Sequence, residues 1–280
     1  MIMKSSIEAL LKQGSLELQN VAEELNLKPH FESEILLAFI LKKPRVYLHT
    51  HTKDSVESPL AEHYLSLIKM RKNGMPIEYI TQSASFYGYE FFVNPDVLIP
   101  RPETELLIEE ARAIIESHNI RSIAEIGIGS GVITTTLARL MPQCHFFATD
   151  ISLEALNVAK QNIATHAKNA NITLQHCSLL PPNAPRFELL VSNPPYIEEG
   201  YPISKPLTFE PKVALFGGKD GLDVYREIIN LVSNYSNVWL VCEIGYNQKA
   251  ALEALLKGAK HIHFFKDLSG LDRGFSAYFP

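Results

Sequence analysis

From residue 121 onward, short apolar runs alternate with segments of helical periodicity, and no other feature of the sequence limits the fold as much. The apolar runs read as strands at 122–126, 144–149, 172–175, 187–191, 238–243, 261–265 and 274–279. Helical patterns lie between them, and the last two strands can pair antiparallel through the turn at 267–270. Strands that alternate with helices build a largely parallel sheet covered on both faces. The sequence therefore predicts an α/β fold with a doubly wound sheet.

Glycines and an acidic residue follow the first two strands of this pattern. The segment Gly127, Ile128, Gly129, Ser130, Gly131 connects the first strand to a helix, and glycine at such a junction lets the backbone approach a ligand closely. Its spacing is Gly-x-Gly-x-Gly and differs from the Gly-x-Gly-x-x-Gly of dinucleotide sites. Asp150 ends the second strand about 20 residues later, where a carboxylate can accept both hydroxyls of a ribose. Together the two features predict an adenosine ligand.

A proline-rich turn follows the strand at 187–191. Two consecutive prolines cannot continue a strand or begin an ordinary helical turn, so the chain leaves the sheet in a stiff, extended conformation. The turn presents the Asn193 amide, the Pro194 carbonyl and the Tyr196 ring, next to Pro195. Two hydrogen-bond acceptors beside a flat ring suit a planar donor such as a carboxamide or an exocyclic amine. Because ligands of such sheets bind at the carboxyl ends of the strands, we expect this turn, the glycine turn and Asp150 to face one crevice.

Residues 1–82 have apolar residues at spacings of three and four, which predicts a small helical bundle. The pattern gives four helices, near 7–11, 18–25, 31–41 and 60–68. His49 and His51 lie two residues apart in a polar segment without a cysteine or carboxylate cluster, so no metal site is predicted there. We expect this N-terminal helical domain to be the partner-binding part of the chain.

Residues 83–101 are expected to join the N-terminal helical domain to the α/β domain. Their aromatic residues and the turn-forming Gly88 predict a β-hairpin, followed by a rigid lip that ends at Arg101. Pro102 is expected to be the first residue of a helix whose first turn carries Glu103 and Glu105. The predicted domains are therefore 1–82, the hairpin and lip at 83–101, and the α/β domain at 102–280.

Charge and cysteine usage exclude several classes of protein. The net charge is −5, with ten basic and ten acidic residues in 1–82, and sixteen basic and twenty-one acidic residues in the remainder. Proteins that bind a phosphate backbone usually carry a basic excess, so no direct nucleic-acid partner is predicted. The three cysteines are far apart, which fits a reducing cytoplasm. No apolar run reaches the length of a membrane span, and the first residues lack the apolar core of a signal peptide.

The motifs together resemble those of a known family. The glycine turn, Asp150 and the Asn193–Tyr196 turn resemble class I S-adenosylmethionine methyltransferases that methylate nitrogen. Three further segments make the resemblance more specific: Leu-Ile-Pro-Arg-Pro-Glu-Thr-Glu at 98–105, Phe-Glu-Pro at 209–211 and Gly-Gly-Lys-Asp-Gly-Leu at 217–222. With them the chain resembles the release factor glutamine methyltransferases. The resemblance implies a seven-stranded, Rossmann-like methyltransferase sheet with a helical N-terminal domain and a hairpin. It also implies S-adenosyl-L-methionine as cofactor and S-adenosyl-L-homocysteine as product. We expect no metal and a monomer.

The same resemblance implies roles for individual residues. The cofactor-binding set is Gly127, Ile128, Gly129, Ser130, Gly131, Asp150, Ser178 and Asn193. The methyl-acceptor set is Asn193, Pro194, Pro195 and Tyr196, of which Asn193, Pro194 and Tyr196 are expected to be catalytic. Glu125 stands where the family usually has Asp, and the Cys177–Ser178 pair stands where it commonly has an acidic and an aromatic residue.

The family's substrate is the glutamine of the Gly-Gly-Gln motif in class I peptide chain release factors, and the resemblance implies the same substrate here. Three alternatives remain open from the sequence. The chain could methylate a glutamine of a large-subunit ribosomal protein, or the amino group of a nucleic-acid base. It could also be an adenosine-binding module without activity.

Overall fold

The structure is a computed structural model that describes residues 5–280, and the described chain divides into two compact units. The first unit reaches to Gln82 and also contains Ile203–Phe209; the second contains Ser83–Pro202 and Glu210–Pro280. The segment that joins the first unit from far along the chain includes a 3₁₀ helix at Pro206–Phe209. Its Lys205 lies 3.7 Å from Glu24 of the same unit, measured from Nζ to Oε1.

The first unit is built from six helices and one pair of two-residue strands among the described residues. The helices are α1 Ile7–Gln19, α2 Ala22–Leu25, α3 Pro29–Leu41, α4 Arg45–Thr50, α5 Ser58–Lys72 and α6 Ile77–Thr81; the strands are β1 Ser5–Ser6 and β2 Ser55–Val56. Contacts among α1, α3 and α5 enclose one hydrophobic core. The prediction that residues 1–82 form a helical bundle is confirmed for the described residues.

The prediction of four helices was wrong in detail. Helix α1 runs unbroken through Leu18, which the sequence pattern placed in a second helix, and only the four residues of α2 follow separately. Gly14 lies within α1 and lets this helix pack closely against α5, because a Cβ there would lie 2.0 Å from the Tyr64 hydroxyl oxygen. The short helices α4 and α6 were not predicted; α4 contains His49, which the sequence interpretation placed in a polar segment. Helices of five or six residues contain too few turns to show a helical period.

The second unit contains the predicted hairpin and sheet. Its strands are β3 Ser83–Phe86, β4 Tyr89–Phe92, β5 Ser122–Ile126, β6 His145–Asp150, β7 Asn171–His176, β8 Leu189–Ser192, β9 Val238–Glu243, β10 Lys260–Lys266 and β11 Asp272–Phe279. Its helices are α7 Thr104–His118, α8 Val132–Leu140, α9 Leu153–His166, α10 Lys212–Leu215, α11 Asp223–Val232 and α12 Lys249–Leu255. Strands β3 and β4 pair antiparallel around Tyr87 and Gly88, which both have positive φ, as a tight hairpin turn requires.

The large sheet has seven strands in the order β10-β11-β9-β8-β5-β6-β7. Strands β7, β6, β5, β8 and β9 are parallel. Strand β11 pairs antiparallel with both β9 and β10, so β11 runs against the other six strands. The chain winds outward from β5 through β6 to β7 and then returns to place β8 on the other side of β5. The strand order therefore reverses between β5 and β8, and in such sheets the ligand crevice opens at that point. The predicted α/β fold is confirmed.

Helices cover both faces of the sheet and form two hydrophobic cores. One core contains Leu107 of α7, Leu137 of α8 and Phe91 of the hairpin; the other contains Tyr225 of α11 and Leu252 of α12. Burial of each such side chain contributes about 1.5–3 kcal/mol, so the helices hold the strand ends rigidly against each other.

Helix α7 begins two residues later than predicted. Pro102 lies in a hydrogen-bonded turn before the helix, in which the Thr104 N–H donates to the Arg101 carbonyl over 3.1 Å. Thr104 is the first helical residue and is 2% exposed, so the start of α7 points into the unit.

Candidate active site

A cavity of about 440 Å³ lies within the second unit, at the carboxyl ends of β5, β6 and β8. This size falls in the range of small-molecule sites. Most of the residues predicted for the site line it: Gly127, Ile128, Gly129, Ser130, Asp150, Ser178, Asn193, Pro194 and Pro195. Three loops that are distant in the sequence therefore meet around one space, as the strand-end pattern predicted.

Two of the predicted site residues are not among the residues that line the cavity. Gly131 is the N-cap of α8 with φ of 84°, and a Cβ there would lie 3.2 Å from Ala159 of α9, so its lack of a side chain allows the two helices to pack. The Tyr196 side chain is partly buried and packs against the hydrophobic core that contains Tyr225, and burial raises the pKa of Tyr196 to about 12. The Tyr196 carbonyl accepts a hydrogen bond of 3.0 Å from Gln248 Nε2.

The glycine turn forms an open cradle on the cavity wall. Gly127 and Gly129 have φ of 75° and 53°, in the left-handed region that favours glycine. A Cβ on either residue would meet no atom within 4 Å, so the space that side chains would occupy is left to a ligand. The N–H groups of Gly127 and Ile128 both donate to the Thr149 carbonyl over 2.9 Å, which ties the turn to the end of β6.

Asp150 lies beside this cradle and is 8% exposed. Its Oδ2 accepts from the Gly129 N–H at 2.8 Å and its Oδ1 from the Ser152 N–H at 2.9 Å. Burial raises the pKa of Asp150, while these backbone donors lower it. A carboxylate has about four acceptor positions, so each oxygen keeps a lone pair for a ligand hydroxyl. The cradle and Asp150 therefore fit the ribose and the chain of an adenosine cofactor such as S-adenosylmethionine.

Glu125 lies under the cradle at 1% exposure, near the end of β5. Its Oε2 accepts from the Thr134 N–H at 3.0 Å and from the Thr134 hydroxyl, which holds α8 against β5. Its Oε1 is buried and has no hydrogen-bond partner among residues 5–280. Burial raises the pKa of Glu125 to about 8, so this carboxyl carries a proton at neutral pH.

The proline turn follows β8, next to β5, and lines the same cavity as the cradle. Ser192 ends β8, and its hydroxyl donates to the Ile126 carbonyl at the end of β5 over 2.8 Å, which fixes the start of the turn. Asn193 Nδ2 donates to Thr104 Oγ1 over 3.3 Å. Within the described chain no group donates to Asn193 Oδ1 or to the Pro194 carbonyl, so both acceptors are free for a ligand.

The predicted lip forms a third wall. Leu98, Pro100 and Arg101 line the cavity. Glu210, 5% exposed, accepts from the Ile99 N–H at 3.0 Å and from Arg101 Nη2 at 2.5 Å. This buried carboxylate fastens the lip to the segment that leads into α10.

Several lining residues were not predicted from the sequence. Among them are Thr104 and the apolar residues Ile151, Leu179, Val213 and Val224. Ile151 and Val213 are each 54% exposed, and an apolar residue directly after the strand-ending Asp150 is the one signal that could have indicated a ligand wall. Leu179, Val213 and Val224 carry no local pattern that separates them from core residues.

Two further observations concern the described residues as a whole. No group of three His, Cys, Asp or Glu residues in 5–280 is arranged to hold a metal ion. In the same range, none of the helices combines the length and apolar character needed to cross a membrane.

Comparison with known proteins defines the class and then the family. The family described as "Methyltransferase small domain" matches residues 102–205, and the "PrmC N-terminal domain" matches residues 9–81. The chain is an S-adenosylmethionine-dependent methyltransferase, and this confirms the predicted enzyme class and cofactor.

Curated relatives identify the particular family. A release factor glutamine methyltransferase of Clostridium acetobutylicum is 34% identical over 275 residues, with 94% of this chain and 96% of the relative covered. That of Dictyoglomus turgidum is 35% identical with 94% and 96% covered, and that of Bacillus anthracis is 37% identical with 86% and 89% covered. The chain belongs to the release factor glutamine methyltransferase family, as its motifs predicted.

Solved structures share the fold. The catalytic domain of human METTL16, solved with a hairpin of the MAT2A 3′UTR, matches with a TM-score of 0.57 at 17% identity, over 81% of this chain and 85% of that one. The N-terminal domain of the same human protein, solved in complex with SAH, matches with a TM-score of 0.52 at 16% identity, over 87% and 94%. At these identities the likeness shows the fold alone.

Proposed function

We propose that this enzyme transfers a methyl group to the side-chain amide nitrogen, N5, of the glutamine in the Gly-Gly-Gln motif of class I peptide chain release factors. One observation carries the proposal: Asn193 and Pro194 line the same cavity as the glycine cradle, and Asn193 Oδ1 and the Pro194 carbonyl are two acceptors without a partner in the described chain. A primary carboxamide has two N–H donors on one nitrogen, and these two acceptors match them. The names of the curated relatives support the release factor as the protein that carries this glutamine.

The residues of this chain are proposed to act mainly by position. An amide nitrogen is a weak nucleophile, because its lone pair is delocalised into the carbonyl. S-adenosylmethionine supplies, when bound, an electrophilic methyl group on a sulfonium. Asn193 Oδ1 and the Pro194 carbonyl accept the two N–H hydrogens and hold the nitrogen lone pair toward the cradle. The same acceptors stabilise the positive charge that develops on the nitrogen during transfer.

No general base is required in this scheme. The nitrogen forms its new bond to carbon as the carbon–sulfur bond breaks, and the methylated, positively charged amide then loses a proton to solvent. Pro195 and Tyr196 are proposed to contact the substrate glutamine from the same turn. Ser178 and Gly131 remain proposed cofactor residues, of which Ser178 lines the cavity.

The division of labour along the chain is also part of the proposal. Residues 1–82 are proposed to bind the release factor, residues 83–101 to form the hairpin and lip, and residues 102–280 to carry out methyl transfer. The three free cysteines support a reducing, cytoplasmic location, where translation termination takes place. The net charge of −5 supports a protein substrate and no direct contact with nucleic acid. We propose that the enzyme acts as a monomer and without a metal.

Labelled S-adenosylmethionine tests the proposal. The enzyme is incubated separately with a class I release factor, its Gly-Gly-Ala variant, large-subunit ribosomal proteins, and RNA or DNA. We expect label on the release factor and none on the Gly-Gly-Ala variant, with mass spectrometry placing one methyl group on the glutamine. Label only on a ribosomal protein or only on nucleic acid would establish the corresponding alternative instead.

A further inference from the structure

Two buried side chains lie behind Asn193 and connect it to the interior of the second unit. Thr104 Oγ1, at the start of α7, is 3.3 Å from Asn193 Nδ2 and 2.6 Å from Glu243 Oε2, at the end of β9. Thr104 is 2% exposed and Glu243 is 3% exposed. The three residues therefore form a single hydrogen-bonded line from the cavity wall inward.

The chemistry of this line assigns a direction to each hydrogen bond. An ionised carboxylate only accepts, and a threonine hydroxyl has one proton and two lone pairs. The Thr104 proton therefore goes to Glu243, and Thr104 offers only lone pairs to Asn193. Only the NH₂ end of the Asn193 amide can use those lone pairs. With NH₂ turned to Thr104, Oδ1 is left for the cavity.

We infer that Thr104 and Glu243 are positioning residues that determine which end of the Asn193 amide faces the methyl acceptor. The inference rests on the proposed function, since it concerns the acceptor role that the proposal gives to Asn193 Oδ1. A flipped amide would present NH₂ to the NH₂ group of the substrate glutamine, and two donors repel each other. The line therefore selects the amide orientation that binds a carboxamide nitrogen.

The sheet and the helices hold both ends of the line. Ser192 and Cys242 are paired in the parallel register of β8 and β9, so Asn193 and Glu243 follow at the same level. The Tyr225 hydroxyl of α11 donates to the Glu243 carbonyl over 2.7 Å, which fixes the end of β9. Thr104 is held because it is the buried first residue of α7. The arrangement is rigid enough for one hydroxyl to control an amide.

The line also depends on pH. The pKa of Glu243 is raised to about 7, because the increase caused by burial and by Glu103 outweighs the decrease caused by the Thr104 hydrogen bond, Arg273 and Arg101. Tyr196 and Tyr225 also face this carboxylate, and both remain neutral because burial raises their pKa. Once protonated, Glu243 can donate to Thr104, and the Thr104 proton is then free to point at Asn193 and attract Oδ1. The fixed orientation is thus present above about pH 7 and is lost as the pH falls.

Isosteric substitution of Thr104 tests the inference on full-length enzyme. Thr104→Val removes the hydroxyl, and we expect kcat to fall at least tenfold while the Kd for S-adenosylmethionine stays within twofold. Thr104→Ser keeps the hydroxyl and is expected to stay within threefold of wild type. Calorimetry provides a readout without turnover: the release factor should bind the S-adenosylhomocysteine complex about tenfold more weakly with Thr104→Val.

Glu243→Gln removes the titrating group, and the rise of kcat between pH 6 and 8 should become flatter.

The outcomes separate this inference from the proposed function. Wild-type enzyme that leaves the release factor unmethylated rejects the proposed function. Wild-type enzyme that methylates it, with an equally active Thr104→Val variant, rejects the positioning role alone. Equal losses in Thr104→Val and Thr104→Ser, or a parallel loss of cofactor affinity, indicate a structural role and also overturn the inference. If Thr104→Val does not fold, the pH profile of Glu243→Gln decides: an unchanged profile overturns it.

Discussion

The helical unit and the methyltransferase unit both bury carboxylates. Glu210 of the methyltransferase unit pairs with Arg101, as the buried carboxylates of the helical unit pair with arginines, but three other carboxylates of the methyltransferase unit are satisfied differently. In the helical unit, Glu32 is paired with Arg71 at 2.5 Å and Glu34 with Arg45 at 2.6 Å. In the methyltransferase unit, Glu125, Asp150 and Glu243 receive hydrogen bonds from hydroxyl or backbone N–H groups and lack such a guanidinium partner.

The difference separates carboxylates that stabilise the fold from carboxylates that can take part in function. A carboxylate in an ion pair with a guanidinium has its charge and most of its acceptor positions occupied, so it can stabilise a fold and do little else. A carboxylate held by neutral donors keeps open lone pairs, and its burial raises its pKa. Glu125, Asp150 and Glu243 all have raised pKa values. Asp150 lines the ligand cavity, and the other two carboxylates accept hydrogen bonds from Thr134 and Thr104. Strongly perturbed carboxyls of this kind are typical of active sites.

The largest effect is expected from Asn193→Ala at the cavity. Loss of the amide removes one of two acceptors that act on the transition state, and such a loss reduces kcat by about 10²–10³-fold. The Kd for S-adenosylmethionine should change less than threefold, because the glycine cradle and Asp150 remain. Steady-state kinetics with release factor and calorimetry with cofactor measure the two quantities. Asn230→Ala, at an exposed position on α11, is the control and should behave as wild type.

An effect of similar size, but on stability, is expected from Arg71→Ala in the helical unit. It leaves the buried Glu32 charge without a partner, and breaking a buried ion pair in this way costs about 3–5 kcal/mol of the free energy of unfolding. Urea unfolding followed by circular dichroism measures it. The neighbouring Lys72→Ala removes the half-exposed pair with Glu17 and should cost less than about 1 kcal/mol. Equal effects of the two substitutions would contradict the structural role of the buried pair.

A smaller effect is expected from Asp150→Asn. The change preserves the size of the side chain but replaces charge-assisted hydrogen bonds to the ribose, which contribute about 1.5–3 kcal/mol, by neutral ones. Calorimetry should show S-adenosylmethionine binding about 10- to 100-fold more weakly. Glu154→Gln, at an exposed position in the first turn of α9, removes a nearby charge outside the cavity and should leave the Kd unchanged. Unchanged affinity in Asp150→Asn would remove Asp150 from the cofactor site.

The smallest effect on binding is expected from Glu125→Gln. With a pKa of about 8, Glu125 is already neutral at pH 7, so a neutral amide should keep the cofactor Kd within threefold. Stability provides the sharper readout. The unfolded chain loses this proton near the ordinary pKa of 4.5 and the folded chain near 8, so folded wild type loses stability as the pH rises between these values.

Urea unfolding of wild type and Glu125→Gln at several pH values between 5 and 8.5 measures this dependence. The free energy of unfolding of the variant should fall less steeply than that of wild type as the pH rises. A decline of equal slope in both proteins would show that the Glu125 carboxyl ionises normally in the folded state.

Much of the fold followed from local patterns. The strand ends at Ile126, Asp150 and Ser192 are visible in the sequence because a buried strand is a continuous apolar run and a glycine, acidic or proline turn ends it. The hairpin around Gly88 was predicted for the same reason. The motifs at these ends also identified the family, and the comparisons confirm it.

The sequence by itself thus determined the alternation of strands and helices, the three strand-end motifs and the chemistry that they suit. These are local properties, because backbone dihedrals and burial periods depend on residues a few positions apart. Only the tertiary structure decided that Gly131 and Tyr196 lie outside the cavity lining. Likewise it alone brought Thr104 within 2.6 Å of Glu243, 139 residues away in the chain. A threonine at a helix start and a glutamate at a strand end carry no signal of each other, and they meet only because the sheet order and helix packing bring them together.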